Sequence, residues 1–190
     1  DWDEVISTFP RGELRDYLGM VSTGEVSIAV KPQYIDKLPR IFDGEVRELL
    51  ARVDDRGEIE NYTELMGISH ILDRKLGDLS GGELQRVAIC ATLLKEADVY
   101  FFDEPSSYLD IYERMRMVGV VRGLAEKGKR VLVVEHDLAI LDVLCDLIHV
   151  IYGERSAYGI FTPPRSTRTA INAYLDGFLP EENVRIRDKP

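Results

Sequence analysis

The hydrophobic pattern at the start of the chain predicts two short helices followed by a strand. Apolar and polar positions favour helices over 3–9 and 12–20, separated by Pro10 and Gly12. Residues 25–32 then alternate as in a strand that is buried on one face. We therefore expect a helix–loop–helix that leads into a strand.

A longer helical region is predicted next. From about 43 to 76 the pattern is helical and rich in charge, with glycines at intervals. Ser80 occupies the position of a helix N-cap ahead of apolar residues at helical spacing, so a helix is predicted over about 80–96.

The second half of the chain alternates between strand and helix. A continuous apolar run over 98–104 is closed by two acids and a proline, which indicates a buried strand of a parallel sheet. A helix over about 111–127 and an apolar strand over 131–137 repeat this unit, and a helix over 138–145 with a third strand over 148–152 follows. The alternation predicts a doubly wound α/β core.

The end of the chain is predicted to leave this core. A helix is expected to run to about Leu175 after the Pro163-Pro164 pair, and 176–190 resembles a linker in composition.

Composition indicates one globular domain outside the membrane. The chain has 190 residues, of which 45% are hydrophobic, enough for one substantial core. No apolar run approaches the roughly 20 residues that cross a bilayer, and the first residues lack a signal-peptide pattern, so we expect a cytoplasmic protein with no membrane partner. Cys90 and Cys145 form no C-x-x-C pair and are expected to be core thiols.

The net charge of -10 argues against general affinity for nucleic acid, so any contact with RNA is expected to be local. Small basic groups occur at Arg11 with Arg15, at Arg165 with Arg168, and at Arg185, Arg187 and Lys189. Each group has two interpretations, a solvated face or a local RNA contact, and the first is the more common.

The strongest chemical signal is a pair of motifs separated by one helix. Leu79-Ser80-Gly81-Gly82-Glu83 begins that helix, and an apolar strand ending in Asp103-Glu104-Pro105 follows it. Two glycines at a helix start expose backbone N–H groups, the helix dipole favours a phosphate there, and the Ser80 hydroxyl adds a donor. A flexible turn is the alternative interpretation of the glycine pair.

The acids at the strand end suit phosphoryl transfer. Asp103 is placed to hold Mg²⁺ through water, and Glu104 to orient or deprotonate a water that attacks a γ-phosphate. His136 ends the next strand at the same predicted edge of the sheet, where open α/β sheets bind their ligands. The alternatives are an acidic loop and a structural histidine.

One segment comes close to a phosphate-binding loop. Residues 123–130 contain two glycines and Lys129, but Arg130 stands where the metal-binding hydroxyl belongs, and a helix precedes a strand in the reverse of the required order. We interpret 123–130 as a turn that ends a helix. A true phosphate loop is expected upstream of Asp1, which would make the sequence an incomplete part of a longer chain.

These motifs resemble those of the ABC ATPases over nearly the whole chain. The matching residues are Ser80, Gly81, Gly82 and Glu83 for the signature loop, Val99 to Glu104 for the Walker B strand, Ser106 and Asp110 for the D-loop, His136 for the switch histidine, and Gln33 for the Q-loop glutamine. The resemblance implies an α/β P-loop NTPase of ABC type that binds ATP and Mg²⁺. Such a domain has a parallel sheet core and a helical signature subdomain, here expected to lack its first strand and phosphate loop.

The resemblance also implies roles for these residues in a sandwich dimer of two such domains. Ser80 to Glu83 would then bind the ATP held by the partner domain. Asp103 and Gln33 would serve the metal, and Glu104 and His136 would act in catalysis, at the ATP held by this domain.

Several segments are similar in particular to family E of the ABC ATPases, the ribosome-recycling ATPases also called the RNase L inhibitor family. These segments are Asp1 to Ile6, Arg11 to Tyr17, Lys31 to Tyr34, Asp103 to Asp110, Val134 to Asp137 and Leu179 to Arg185, and they look archaeal rather than eukaryotic. The resemblance implies the first of two ATPase domains of a polypeptide that splits ribosomes. It also implies binding to the small ribosomal subunit and release-factor-type proteins, with iron–sulfur clusters in an N-terminal domain absent from this sequence.

The family likeness divides the chain into a partial nucleotide-binding domain over 1–175 and the start of a hinge over 176–190. Within the first part, 3–20 is the expected helix–loop–helix insertion, 40–96 the helical subdomain and 97–175 the α/β core. Arg11 and Arg15 are the candidates for ribosome contact within the insertion.

Two other functions stay open at this stage. The chain could be the ATP-binding domain of a membrane transporter, which would use a surface groove for a coupling helix. It could also be a non-catalytic scaffold, against which intact Asp103, Glu104 and His136 argue. These 190 residues alone are expected to hydrolyse little or no ATP, because the phosphate loop is missing.

Overall fold

The computed structural model describes residues 1–154 and 156–186. The chain folds into two compact units. The first unit spans Asp1–Val134 and the second Glu135–Pro190. The expected finer division into insertion, helical subdomain, core and hinge stays a prediction.

A three-stranded parallel sheet forms the centre of the first unit. Its strands are β1 (Ile28–Lys31), β2 (Val99–Asp103) and β3 (Arg130–Val134), in the order β1-β2-β3. Lys31 pairs with Phe102, and Asp103 pairs with Val134. The carboxyl ends of the three strands therefore lie at one edge, as expected for strands of an α/β core.

The helices of the first unit follow the predicted pattern closely. They are α1 (Trp2–Ser7), α2 (Glu13–Ser22), α3 (Leu38–Ile41), α4 (Val46–Val53), α5 (Ile59–Leu65), α6 (Gly81–Leu93) and α7 (Ile111–Glu126), with 3-10 turns at Ile35–Lys37, Ser69–Ile71 and Leu76–Asp78. No helix in the described part of the chain is long and apolar enough to cross a membrane.

Helix α6 is the centre of the core of this unit. It packs against α4, α5 and β1, and most of its side chains are buried, including Val87, Ile89 and Leu93. Cys90 is buried here as predicted, and burial raises the pKa of its thiol. Cys145 is only half-buried. The signature helix is thus fixed along its length by apolar packing.

The segment that came close to a phosphate loop is the end of a helix, as predicted. Helix α7 ends at Glu126, and Lys127 caps it. Gly128 then takes a φ of +80°, a backbone conformation that favours glycine, before β3 begins at Arg130. Gly128 therefore belongs to a turn that leads from a helix to a strand. This order is the reverse of the strand–loop–helix order of a phosphate-binding loop.

The second unit consists of short elements. They are α8 (Leu138–Leu144), β4 (Leu147–Ile148), β5 (Ile151–Glu154), β6 (Tyr158–Phe161), β7 (Arg165–Ser166), α9 (Thr167–Asp176), β8 (Phe178–Leu179) and β9 (Val184–Arg185). A small core of Val150, Ala170, Ala173 and Leu179 holds it together.

The predicted third core strand over 148–152 is wrong. The segment splits into β4 and β5, which pair antiparallel with β7 and β6. The break lies where a later segment supplies the partners: the hydroxyl of Thr162 accepts a hydrogen bond from the N–H of Val150 at 2.9 Å, and the carbonyl of Thr162 contacts Nδ1 of His149 at 2.8 Å. Side-chain partners thus interrupt the strand.

Two short strands follow α9 in the described part of the chain. Strands β8 and β9 pair antiparallel over 178–185, and Arg165, placed by its sequence in a basic group, is buried and paired with Glu181 at 3.3 Å and with Glu182. Arg165 is therefore no part of a solvated basic face. Residues 187–190, which include Arg187 and Lys189, lie outside the described residues, and the hinge role of 176–190 stays a prediction.

Candidate active site

The two acids predicted for catalysis lie where β2 ends. Asp103 is the last residue of the strand, and both Asp103 and Glu104 are half-buried. Glu104 has a φ of +46°, which is uncommon for a residue other than glycine and costs about 1–3 kcal/mol. Such strain persists only where the surrounding structure fixes the residue.

Gln33 reaches Glu104 from the neighbouring strand. It follows the end of β1 by two residues, and its Nε2 donates a hydrogen bond to Oε1 of Glu104 at 3.0 Å. The hydroxyl of Ser107 donates to Oε2 of the same carboxylate at 3.3 Å. The structure therefore brings Gln33 and Glu104 together and orients the carboxylate from two sides, while the role of Gln33 toward a metal stays a prediction.

Lys31 is a residue of this region whose role the sequence analysis missed. It is completely buried at the end of β1, and its Nζ donates to the carbonyl oxygens of Asp103 at 2.8 Å and Glu104 at 3.3 Å. The period of two along β1 places Lys31 on the same buried face as Ala29. A lysine on the inward face of a strand is the signal that could have marked it, because buried charges need partners.

The signature loop begins α6 with a capping box. The hydroxyl of Ser80 accepts from the N–H of Glu83 at 3.3 Å, and the Glu83 carboxylate accepts from the N–H and the hydroxyl of Ser80, both at 2.8 Å. Arg74 pairs with Glu83 at 2.8 Å. The hydrogen bonds from the backbone and side chain of Ser80, assisted by Arg74, lower the pKa of Glu83 below its usual value. Glu83 thus shapes the loop, and the Ser80 hydroxyl donates to it here.

The glycine pair of the signature loop is required by close packing. A Cβ on Gly82 would lie 2.9 Å from the backbone oxygen of Tyr108, and one on Gly81 would lie 3.2 Å from the Tyr108 ring. Both residues lie in the first turn of a 13-residue helix, whose N–H groups have no partner within the helix. The loop therefore combines exposed donors with a tight contact to the segment that follows β2.

Replacing Gly82 with alanine is expected to destabilise the chain by about 1–3 kcal/mol, because the new Cβ collides with backbone. The matched control is Gly119→Ala in α7, where nothing lies within 4 Å of the added Cβ. There the higher helix propensity of alanine should stabilise by about 0.5–1 kcal/mol. Thermal denaturation of the two variants should give shifts of opposite sign; equal upward shifts would show that the Gly82 contact is unimportant.

Gln85 is a second residue that the sequence analysis did not single out. It is fully buried in α6, and its Nε2 donates to the carbonyl oxygens of Glu104 at 2.9 Å and Pro105 at 3.0 Å. The acid-bearing turn is thus held by Lys31 on one side and by the signature helix on the other. Both contacts run from a side chain to a remote backbone carbonyl, so the sequence pattern does not identify the accepting residues.

The D-loop residues lie between this turn and α7. Ser106 is buried, whereas Asp110 is exposed and caps α7 in a capping box with Glu113. Tyr108 between them has a φ of +65° and is 70% exposed. The segment presents an exposed aromatic side chain next to the signature loop.

His136 belongs to the second unit. Its side chain is 76% exposed, and its backbone N–H donates to the carboxylate of Glu135 at 2.9 Å. An exposed imidazole is able to contact a ligand. Its convergence with Asp103 and Glu104 stays a prediction.

The candidate ribosome-contact arginines differ from each other. Arg11 is exposed in the loop between α1 and α2, whereas Arg15 is half-buried and donates from Nη1 to the carbonyl of Phe9 at 3.4 Å. Arg15 therefore helps to close the helix–loop–helix, and Arg11 is the more accessible cation of the two.

The residues at the edge of the sheet fit Mg²⁺. Residues 1–154 and 156–186 contain no group of three or more His, Cys, Asp or Glu side chains that could hold a metal by themselves. Asp103 and Gln33 instead offer a carboxylate and an amide oxygen. Mg²⁺ is commonly bound in this way, by one or two protein ligands together with waters and substrate phosphates.

Comparison with known proteins identifies the class of protein. A family model described as ABC transporter matches residues 12–107, about half of the chain. The chain therefore belongs to the ABC transporter family of ATP-binding proteins, and its parallel sheet, signature helix and acid-ended strand agree with this.

Within that family the chain is a family E member. It is 42% identical over 189 residues to ABC transporter E family member 1 of Arabidopsis thaliana, covering 100% of the chain and 31% of that protein. It is 47% identical over 190 residues to an uncharacterized ABC transporter ATP-binding protein of Methanocaldococcus jannaschii, again covering 100% and 31%.

A solved structure gives the same assignment. The chain matches an archaeal ribosome recycling factor, crystallised in complex with the archaeal ribosomal stalk protein aP1, with a TM-score of 0.95 and 51% identity. The match covers 100% of this chain and 37% of that one. The chain thus spans about a third of the length of the relatives it matches.

Proposed function

We propose that this chain is part of an ATPase that couples ATP binding and hydrolysis to the recycling of ribosomes. The observation that carries the proposal is the hydrogen bond from Gln33 to Glu104 beside Asp103, because it joins two residues of the predicted hydrolytic site from separate strands. The similarity over the whole chain to an archaeal ribosome recycling factor supplies the biological context.

In the proposed reaction, the oxygen of a water attacks the γ-phosphorus of ATP while the bond from that phosphorus to the β–γ bridging oxygen breaks, so that ADP leaves with the bonding electrons and inorganic phosphate is formed. Glu104 orients this water and accepts its proton, and the hydrogen bonds from Gln33 and Ser107 hold the carboxylate in place. Asp103 and Gln33 would hold Mg²⁺, which would neutralise part of the phosphate charge. His136 contacts the γ-phosphate. The protein's part is positioning and charge stabilisation, which phosphoryl transfer chiefly requires.

The signature loop serves a second ATPase domain, proposed to lie in the same polypeptide. Ser80 and Gly81 are exposed at the start of α6, where backbone N–H groups and the helix dipole favour a phosphate. Ser80 to Glu83 would bind ATP held by that second domain, with Ser106 and Asp110 of the D-loop at the same junction.

The proposed partner outside the polypeptide is the small ribosomal subunit, together with release-factor-type proteins, in the cytoplasm. Helices α1 and α2 would lie against the subunit with Arg11 toward it. Iron–sulfur clusters belong to a domain outside this sequence. The match to a recycling factor covers the whole chain. It does not favour the two alternatives, a transporter domain and a passive scaffold.

Sedimentation tests the ribosomal assignment. The whole protein, carrying Glu104→Gln to retain ATP, is expected to co-sediment with small ribosomal subunits when ATP is present. Arg11→Glu should weaken this binding and increase its sensitivity to salt, since it reverses a charge toward phosphate. Lys37→Glu, which changes charge equally at an exposed position outside α1 and α2, is the control. A trapped protein that sediments apart from the subunits would refute the assignment.

A further inference from the structure

We infer that Gln85 is a positioning residue for hydrolysis, through which the signature helix holds the backbone of Glu104 in its active conformation. This inference rests on the proposed role of Glu104 in orienting the attacking water. It adds a physical link between the loop that serves one ATP and the carboxylate that serves the other.

Among the described residues, the side-chain hydrogen bonds of Gln85 are made to the acid-bearing turn. Its Nε2 donates to the carbonyl oxygens of Glu104 and Pro105 at 2.9 and 3.0 Å. Because both partners only accept hydrogen bonds, the NH₂ group of the amide must face them, which fixes the orientation of the side chain. The two donated bonds orient two consecutive peptide units, the one between Glu104 and Pro105 and the one between Pro105 and Ser106.

Packing alone does not account for a glutamine at position 85. The side chain is fully buried, and its Oε1 has no hydrogen-bond partner among the residues the structure describes. A buried polar atom without a partner is costly, and an apolar side chain of similar volume would avoid that cost. The amide is therefore best explained by its two hydrogen bonds to the backbone carbonyls of Glu104 and Pro105.

Those donors hold a strained residue. Glu104 has a φ of +46°, and its N–H donates to the carbonyl of Val134 at 2.9 Å. Its carbonyl accepts from Gln85 and also from Lys31. A relaxation of Glu104 toward an ordinary φ would rotate this carbonyl away from both donors and move the carboxylate, because both belong to one residue.

The same helix carries the signature loop one turn earlier. Gly82 leaves no room for a side chain beside Tyr108, because an added Cβ would lie 2.9 Å from the Tyr108 backbone oxygen, in the segment that continues from Pro105. Gln85 and Gly82 thus connect α6 to both ends of this segment. The position of α6, which carries the signature loop, is thus linked to the position of Glu104 through the side chain of Gln85.

Kinetics of the whole protein test this role. Gln85→Met keeps the volume and removes both donors, and it is expected to lower kcat about tenfold to a hundredfold with little change in the KM for ATP. The matched control is Thr92→Val, also buried in α6, whose hydroxyl donates at 2.9 Å to the carbonyl of Ala88 in its own helix. It should retain wild-type kcat. Wild-type kcat in Gln85→Met would overturn the inference.

A double-mutant cycle separates positioning from general destabilisation. If Gln85 acts through Glu104, then Gln85→Met causes no further loss of single-turnover hydrolysis in a Glu104→Gln background. An equal further loss in that background would overturn the inference while leaving the role of Glu104 intact. Wild-type turnover by Glu104→Gln alone would instead overturn the proposed function, whatever the result at position 85.

Gln85→Glu provides a second readout that does not depend on folding of the methionine variant. A glutamate here can donate to one of the two carbonyls, and only when it is protonated, and burial beside carbonyl oxygens favours this neutral form. Its kcat relative to wild type should rise as the pH falls from about 8 to about 6. A ratio that is constant with pH would count against a donor role for residue 85.

Discussion

Replacing Glu104 with glutamine in the whole protein is expected to lower the rate of ATP hydrolysis by about 10²–10³-fold. The amide keeps the shape of the side chain and can still contact Gln33 and Ser107, but it cannot accept a proton from the attacking water. Binding of ATP should be retained, because phosphate contacts do not depend on this carboxylate. Steady-state turnover and equilibrium nucleotide binding, measured on the same preparation, check both parts of this expectation.

The control for this substitution is Glu126→Gln, at an exposed position at the end of α7. It makes the same chemical change away from the strand end and should leave turnover at the wild-type rate. Loss of ATP binding by Glu104→Gln would contradict the division between binding and hydrolysis, and wild-type turnover would contradict the role of Glu104.

Replacing Lys31 with methionine should destabilise the chain by about 3 kcal/mol, because hydrogen bonds from a charged donor are worth about 1.5–3 kcal/mol each and two are lost. At the end of the central strand, the carbonyls of Asp103 and Glu104 would each lose the hydrogen bond from Lys31, and the carbonyl of Glu104 would keep the one from Gln85. Urea denaturation should report the loss as a lower midpoint with an unchanged slope.

Lys37→Met is the matched control for Lys31. Lys37 is exposed and contacts the ring of Tyr34 at 5.2 Å, an interaction worth about 0.5–1 kcal/mol at an exposed site. The two variants remove the same charge, so a difference of about 2 kcal/mol between them isolates the buried contacts. Equal midpoints would show that the Lys31 contacts contribute nothing to the stability of the turn.

The sequence predicts the positions of the site residues better than their contacts. The apolar run closed by Asp103 and Glu104 predicts a buried strand ending in acids, because a strand buried on both faces requires continuous apolar residues. The N-cap at Ser80 is equally visible, since a capping box has a fixed spacing. Family resemblance adds Gln33, which periodicity alone would leave as one polar loop residue among several.

Contacts that cross the fold could not be predicted in this way. Lys31 and Gln85 bind backbone atoms that are 72 and 19 residues away in sequence, and the interaction requires no particular residue type at the accepting position. The break between β4 and β5 depends likewise on the hydroxyl of Thr162, which lies beyond any local window. Long-range pairing of polar groups is thus the part of the fold that a pattern of apolar residues does not encode.

Glu83 has two possible roles that compete for its carboxylate, a contact to nucleotide and a structural contact within the signature loop. Its place in the signature loop predicts a nucleotide contact, whereas its carboxylate is engaged by Ser80 and Arg74. The lowered pKa of Glu83 means that it stabilises the folded chain as an anion above its unfolded pKa, and that this contribution is lost as the pH falls through the folded pKa. Its first role is therefore to shape the loop that presents Ser80.

The most direct test of the hydrolytic site is a structure of the whole protein carrying Glu104→Gln with ATP and Mg²⁺ bound. The γ-phosphate should lie beside Asp103, Gln33 and residue 104, and the signature loop at Ser80 should contact the ATP bound by the second domain. A triphosphate bound away from the carboxyl ends of β1 and β2, or a signature loop that touches no nucleotide, would contradict the proposed site.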